Sequence, residues 1–370
     1  MRRRFNTPPH DIITNIGYYI LDQSINDPSK IVATIIPPTA YTLRWIKRNS
    51  HRVLVKKISE GVCKVIQLMD TDTTKYFDGT DAPITDTSYD VMLMMPEFWY
   101  TAELVDTDKW RIWFADGNPK DGKKWHKWDH GHLIGVYEAY KEDDKIYSIS
   151  GKTSTGGVSQ ADFKQYARNK GKGYQIIDWQ AHCIMAFLFY GYYGNTNCQA
   201  VCGRGTNDYQ KQTGQTNTLG MTDTTSANGN SMSINFWGLE NWWGNKFEWI
   251  DNVTVDARVW KVTEADGTVR TAGTGVASNG YVSKMLIGDN LDLICQEVSG
   301  SNTTGYCDYY YQFSGISCVV RRSSSDSDQS GGVAFADAAR YSSLTGLASG
   351  SRLAFNGIIV ESDSVSDFES

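Results

Sequence analysis

Ser233-Ile-Asn-Phe-Trp-Gly-Leu-Glu-Asn-Trp-Trp-Gly-Asn-Lys-Phe-Glu-Trp-Ile-Asp-Asn252 is the stretch on which the reading of this chain turns. Gly238-Leu239 is followed by Gly244-Asn245 and then by Glu248-Trp249. Working outward, residues 195–230 are rich in Gly, Asn, Thr and Ser and poor in apolar residues, the mark of a long loop. Before the loop come two helical patterns. Ser159-Gln-Ala-Asp162 resembles a capping box and opens a helix through Phe163, Tyr166 and Ala167 that stops at Lys170-Gly171. A second helix runs from Asp178 to Tyr190, is apolar on almost every side and so is expected to be buried, with Gly191 and Gly194 ending it. After the motif, short strand-like runs alternate with turns at 253–262, 280–287, 291–296, 316–320 and 353–360.

Residues 1–85 read differently. Short β-branched runs at 32–36, 53–55 and 62–68, then a turn-rich stretch at 70–86, suggest a small β-rich segment. Arg44, Lys47, Arg48, His51, Arg52, Lys56 and Lys57 form a basic run, read as a solvated or assembly face. Further strands are expected at 91–95, 109–114 and 133–140.

The chain has 370 residues, 12 Trp, 21 Tyr and a net charge of -6. Such aromatic content suits recognition surfaces as well as cores. The negative charge supplies no general attraction to nucleic acid or acidic membranes. Neither a signal-peptide core nor a membrane-length apolar run is present. Seven cysteines lack a zinc-type spacing and read as buried free thiols. His126, Asp129, His130 and His132 form the densest metal-like cluster, without a standard ligand spacing. Gly151 to Gly157 is glycine-rich but lacks the phosphate-loop order, and no nucleophile-elbow motif occurs.

The motif of residues 233–252 resembles the "G-L…G-N-x-x-E-W" core of the formylglycine-generating-enzyme branch of the C-type lectin fold. Val158–Tyr174 and Asp178–Phe187 are similar to that family's two helices; Val319–Ser324 stands where it has "V-x-R-G-G-S", and Gly350–Phe355 where it has "G-F-R". The resemblance covers about residues 150–360 and implies an α+β, C-type-lectin-like domain, with two helices and short twisted antiparallel sheets, over 86–362. A small β-rich N-terminal domain at 1–85 would serve virion attachment or assembly, and 363–370 would be a frayed tail. Gly238, Gly244, Asn245, Glu248, Trp249, Arg321 and Arg352 are the implied scaffold positions.

Within that fold the chain looks most like the target proteins of diversity-generating retroelements, especially those on tail fibres of gut phages. The resemblance implies a variable, ligand-binding surface within 306–349: Tyr306, Asp308, Tyr309, Tyr310, Tyr311, Phe313, Ser323, Ser325, Asp326, Asp328, Gln329, Tyr341 and Ser343. Tyrosine gives contact area at low entropy cost, and serine gives adaptable hydrogen bonds. Tyr310→Ala is therefore expected to spare folding and weaken binding.

The enzymes of this branch carry their catalytic cysteines just after "R-G-G-S", whereas Ser323 to Ser370 contains no cysteine. Serine does not replace a thiolate at neutral pH, so the expectation is a non-enzyme with no catalytic residue and no metal cofactor. A structural calcium site of acidic and amide oxygens stays open but unlocated. The expected role is a phage tail-fibre or tail-tip adhesin, found on the virion tail and assembled in the host cytoplasm. Its expected partners are a host-cell receptor (glycan or protein), other tail or fibre proteins through the N-terminal segment, and copies of itself in a homotrimer, with no nucleic acid and no membrane insertion. A structural virion protein without a receptor, or an enzyme of the same fold, stand as alternatives.

Overall fold

The computed structural model describes residues 14–35, 37–206, 208–230, 232–288, 290–312, 318–321 and 330–370, with side chains at 34–35, 37–40 and 318–321 outside the description. Strands make up 41% of it and helices 15%. The α+β expectation is thereby corrected: the fold is β-rich, built mostly of antiparallel sheets, with six α-helices among the described residues where two were expected. The physical reason is burial on both faces. A strand such as Asp90–Met94 is buried at every position, so it shows no alternation to count.

One eight-stranded sheet runs Tyr174–Ile176, Arg352–Asn356, His132–Glu138, Asp90–Met94, His51–Ser59, Val62–Met69, Ile358–Glu361, with Asp72–Tyr76 attached to Val62–Met69. This order erases the expected boundary near residue 86. His51–Ser59 hydrogen-bonds with Asp90–Met94, and Val62 pairs in parallel with Ile358. Ile16–Asp22 likewise pairs with Lys109–Ala115 in a five-stranded sheet. The N-terminal segment is also not purely β-rich, since Pro37–Arg48 is helical. The tail at 363–370 is not frayed in the structure. Val365–Glu369 is a helix, Phe368 is fully buried, and the Tyr76 and Tyr89 hydroxyls both donate to Glu369 at 2.6 Å.

Helix Gln160–Arg168 begins as its sequence implies, with the Ser159 hydroxyl accepting from the Asp162 amide at 3.1 Å. Helix Trp179–Tyr193 is the centre of the largest core cluster. Gly191 lies inside this helix rather than ending it. A Cβ there would stand 2.5 Å from the Tyr19 ring and 2.7 Å from Leu43, so its absence lets strand Ile16–Asp22 and helix Pro37–Arg48 close onto the helix.

The motif of residues 233–252 is where buried charge collects. Gly238 and Gly244 hold φ of 80° and 83°, left-handed values that glycine adopts without strain. The turns they make aim carbonyls inward. Arg352, fully buried, donates from Nε and Nη2 to Glu248 Oε1 at 3.0 and 2.7 Å. Its Nη1 donates to the carbonyls of Gly135 (2.8 Å) and Val136 (2.6 Å), and its Nη2 to that of Glu240 (2.7 Å). The ladder between His132–Glu138 and Arg352–Asn356 is irregular between Ile134 and Glu138, the place where those first two carbonyls turn toward the guanidinium. Arg52, from the basic run, is also buried. It donates to the Gly238 carbonyl at 2.8 Å and to Asn235 Oδ1 at 2.9 Å, which removes it from the solvated face expected for that run. Glu240 accepts from the Gly214 and Thr216 amides at 2.8 and 2.7 Å and so pins the long 195–230 loop. Glu138 accepts from the Lys246 amide at 3.0 Å and from the Asn245 carboxamide.

Removing one partner of a buried ion pair leaves an uncompensated charge and costs about 3–5 kcal/mol, whereas replacing both by apolar groups is far cheaper. Arg352→Met is therefore expected to lower the urea-unfolding midpoint severely, and the double variant Arg352→Met/Glu248→Met to recover much of the loss. Trp249→Ala, at a fully buried ring, is expected to cost about 3–5 kcal/mol in the same measurement.

Candidate binding face

Strand Tyr309–Gln312 lies between Gly280–Tyr281, antiparallel, and Ala336–Arg340, parallel. Strand geometry sends successive side chains to opposite faces. Tyr309 and Tyr311 are half-buried and face outward; Tyr310 and Gln312 are buried. The three consecutive tyrosines therefore do two different things.

From the outer face the rings run in a continuous row through the buried Phe335 to Phe247. Tyr281 lies opposite Tyr309 in the pairing, with ring centroids 5.1 Å apart. Tyr309 and Tyr311 are 4.7 Å apart, Tyr311 and Phe335 5.9 Å, and Phe335 and Phe247 6.2 Å. Offset and edge-on contacts of this kind hold aromatic side chains in fixed rotamers. Beyond Phe247, the Lys246 ammonium donates to the Leu347 carbonyl at 2.7 Å and lies 5.2 Å from the Tyr209 ring centroid.

On the inner face Tyr310 stacks on Trp260 at 6.3 Å and donates to Gln312 Oε1 at 2.7 Å. Tyr306 is fully buried, meets Tyr190 edge-on at 5.6 Å and donates to Gln23 Oε1 at 2.7 Å. Asp308 is buried beneath the row and accepts from the Ala334 amide at 2.7 Å. A Cβ on Gly332 would stand 1.9 Å from the Asp308 carboxylate, so glycine is what admits the carboxylate to the 332–334 turn. Asp308 thus ties the strand carrying Tyr309 to the turn carrying Phe335. Burial raises its pKa to about 8. The structure turns Tyr306, Asp308 and Tyr310 away from the surface expected for them. They act as anchors of the face.

Tyr341 and Ser343 are exposed on a separate turn, where the Leu344 amide donates to the Tyr341 carbonyl at 3.0 Å and the Ser342 carbonyl accepts from Gln160. Phe313, Ser323, Ser325, Asp326, Asp328 and Gln329 lie outside the described residues, as does the side chain of Arg321. The backbone at Arg321 pairs with Trp249. Tyr281 and Phe247 were missed by sequence reading. Their place in the row depends on cross-strand pairing that no local pattern encodes.

The histidine cluster separates into individual roles. His130 bridges the Met95 carbonyl (2.8 Å) and Glu361 (2.9 Å). Burial disfavours its charge, but these two acceptors outweigh burial and raise its pKa. His132 stacks on Trp128 at 4.3 Å, and His126 on Tyr100 at 5.8 Å. Among the described residues no group of three or more His, Cys, Asp or Glu is placed to hold a metal ion. Burial pushes the Cys307 thiol up to about 12 and Cys198 well above the ordinary thiol range. Among the described residues no helix is long and apolar enough to cross a membrane. No protein-family model matches the chain, and no curated protein matches its sequence.

Two measurements check this arrangement. Tyr310→Ala is expected to cost about 3–5 kcal/mol of stability, as for other buried aromatics, while Tyr309→Ala and Tyr311→Ala each cost about 1 kcal/mol or less; this reverses the expectation that Tyr310→Ala spares folding. A carboxyl whose folded pKa lies above its unfolded value of about 3.9 contributes stability that is complete below that value and lost as the pH climbs through the folded one. Wild-type melting temperature is thus expected to fall as pH rises from about 5 to about 8, and to fall less in Asp308→Asn, which cannot ionise. Equal slopes in the two proteins would contradict the assignment. Glu138, raised by burial and by Glu248 beside it, adds to the slope of both.

Proposed function

We propose that this chain is a receptor-binding protein of the phage tail-fibre kind, and that it presents the aromatic row and the hydroxyl-rich segments around it to a host-cell receptor. The observation that carries the proposal is the row itself. Tyr281, Tyr309 and Tyr311 remain partly exposed while ring contacts fix their positions. Rigid, half-polar tyrosines on a strand lose little entropy on binding.

The likeness to diversity-generating-retroelement targets fits this division of labour. Outward side chains on a strand change without touching the core, while Asp308, Tyr310 and Trp260 hold the strand from below. In the same reading the protein sits on the virion tail as a homo-oligomer, and surfaces away from the row meet neighbouring tail proteins. The alternative of an oxidising enzyme lacks the cysteines that the resembled branch carries after its "R-G-G-S" position, since Ser323 to Ser370 has none.

The test is binding of the fluorescently labelled full chain to a panel of intact gut bacteria, beside a Tyr309→Ala/Tyr311→Ala variant shown to be folded at the assay temperature. Loss of two tyrosine anchors at about 1 kcal/mol or more each is expected to weaken strain-restricted binding at least about tenfold. Equal binding by both proteins, or no binding to any strain, would favour a structural role in the particle.

A further inference from the structure

A polar cleft lies away from the aromatic row and connects to it through the core: Tyr310 stacks on Trp260 at 6.3 Å, Trp260 lies 5.0 Å from Trp179, and Trp179 lines the cleft. The cavity measures about 370 Å³ and adjoins a more open one of about 620 Å³, with which it shares Arg168, Gln175, Ala265 and Asn356. The first volume lies in the size class of small-molecule sites. The two together form a groove longer than one small molecule.

Charge in the cleft is nearly balanced and, Arg168 at the rim apart, internally committed. Asp178, Asp251, Glu264 and Asp292 face Lys164, Arg168 and Arg270. Asp292 Oδ1 accepts from Trp179 Nε1 and from Arg270 Nη2, both at 2.8 Å, and Arg270 also pairs with Glu264. Lys164 pairs with Asp251, and Asp178 accepts from the Ala181 amide at 2.8 Å and from Gln175 at 3.0 Å. A ligand that sought Lys164, Arg270 or their carboxylates would have to break these pairs. Arg168 stands at the exposed rim, 3.9 Å from an Asp251 that Lys164 already holds, and the other groups the cleft leaves uncommitted are neutral. Asn290 uses its Oδ1 for the Tyr100 hydroxyl at 3.0 Å and keeps its Nδ2. Among the described residues, Gln175 Oε1, the Asn356 carboxamide and the Thr263 hydroxyl meet no hydrogen-bond partner. Amides and hydroxyls offer donors and acceptors in equal measure, which matches a ligand whose hydroxyls both donate and accept. The ion pairs around them hold the lining in place before binding.

We propose that this groove is a second recognition site, for a neutral oligosaccharide, independent of the aromatic row. The test uses labelled full chain on a printed array of neutral, sulfated and acidic oligosaccharides, followed by calorimetry with the best neutral one. The variants are Thr263→Val/Asn356→Ala in the cleft and Tyr309→Ala/Tyr311→Ala on the row, each shown to be folded at the assay temperature. A neutral oligosaccharide is expected to bind. The cleft variant should weaken it about tenfold, since two hydrogen bonds are lost, and the row variant should leave it unchanged. Binding of no neutral oligosaccharide above background, preference for the acidic or sulfated ones, or equal binding by the cleft variant would overturn the proposal. So would loss in the row variant, which would put the sugar on the aromatic face. Because the array is read without cells, failure of cell binding and failure of this site are distinguishable.

Discussion

A guanidinium taken out of water must find a partner for every N–H, and Arg352 finds them in three separate parts of the chain. Glu248 supplies the counter-charge from strand Phe247–Asp256, Gly135 and Val136 supply carbonyls from a break in a ladder, and Glu240 supplies another from the turn after Gly238. None of these groups can shift without stranding a buried charge, a penalty of several kcal/mol. The left-handed turns at Gly238 and Gly244, the irregular pairing beside Glu138 and the docking of the long loop through Glu240 are the backbone's accommodation to that demand. Arg52 repeats the arrangement from the other side of the motif and ties strand His51–Ser59 into it. Buried ion pairs of this kind add little net stability over well-packed apolar groups of the same volume, but losing one partner is costly.

The aromatic face proposed to bind follows from that fixed frame. Strand Phe247–Asp256 carries Glu248 and Trp249 inward and Phe247 at the end of the aromatic row. The same element therefore holds the core and bounds the surface. Asp308 and Tyr310 complete the support beneath Tyr309 and Tyr311. Recognition built this way tolerates change at outward positions, because packing below does not consult them.

The parts of the fold that were legible in the sequence are those written locally. The Ser159 cap, the all-round apolar helix after Asp178 and the motif with its two turn glycines each occupy a short string. What was not legible depends on residues far apart. Val62 meets Ile358 and Ile16–Asp22 meets Lys109–Ala115, so a composition change near residue 86 looked like a boundary and was not one. Phe368 in an acidic tail gave no sign of its pocket. The tyrosine run was found, but its phase was not: Tyr309-Tyr310-Tyr311 reads alike at every position until the side that carries Trp260 is known. Arg52 was hidden in the same way within a basic run whose other members suggested solvent.

The central claim is that Tyr281, Tyr309 and Tyr311 stand outside the core, on a frame fixed from below by Tyr306, Asp308, Tyr310 and Arg352. A saturation substitution scan of residues 281, 306, 308–311 and 352, displayed on yeast and scored by protease resistance, tests it most directly. The account predicts that Tyr281, Tyr309 and Tyr311 accept nearly all side chains with little loss of resistance, while Tyr306, Asp308, Tyr310 and Arg352 accept almost none. Intolerance at Tyr309 and Tyr311 equal to that at Tyr310 would make the row part of the core and contradict the account.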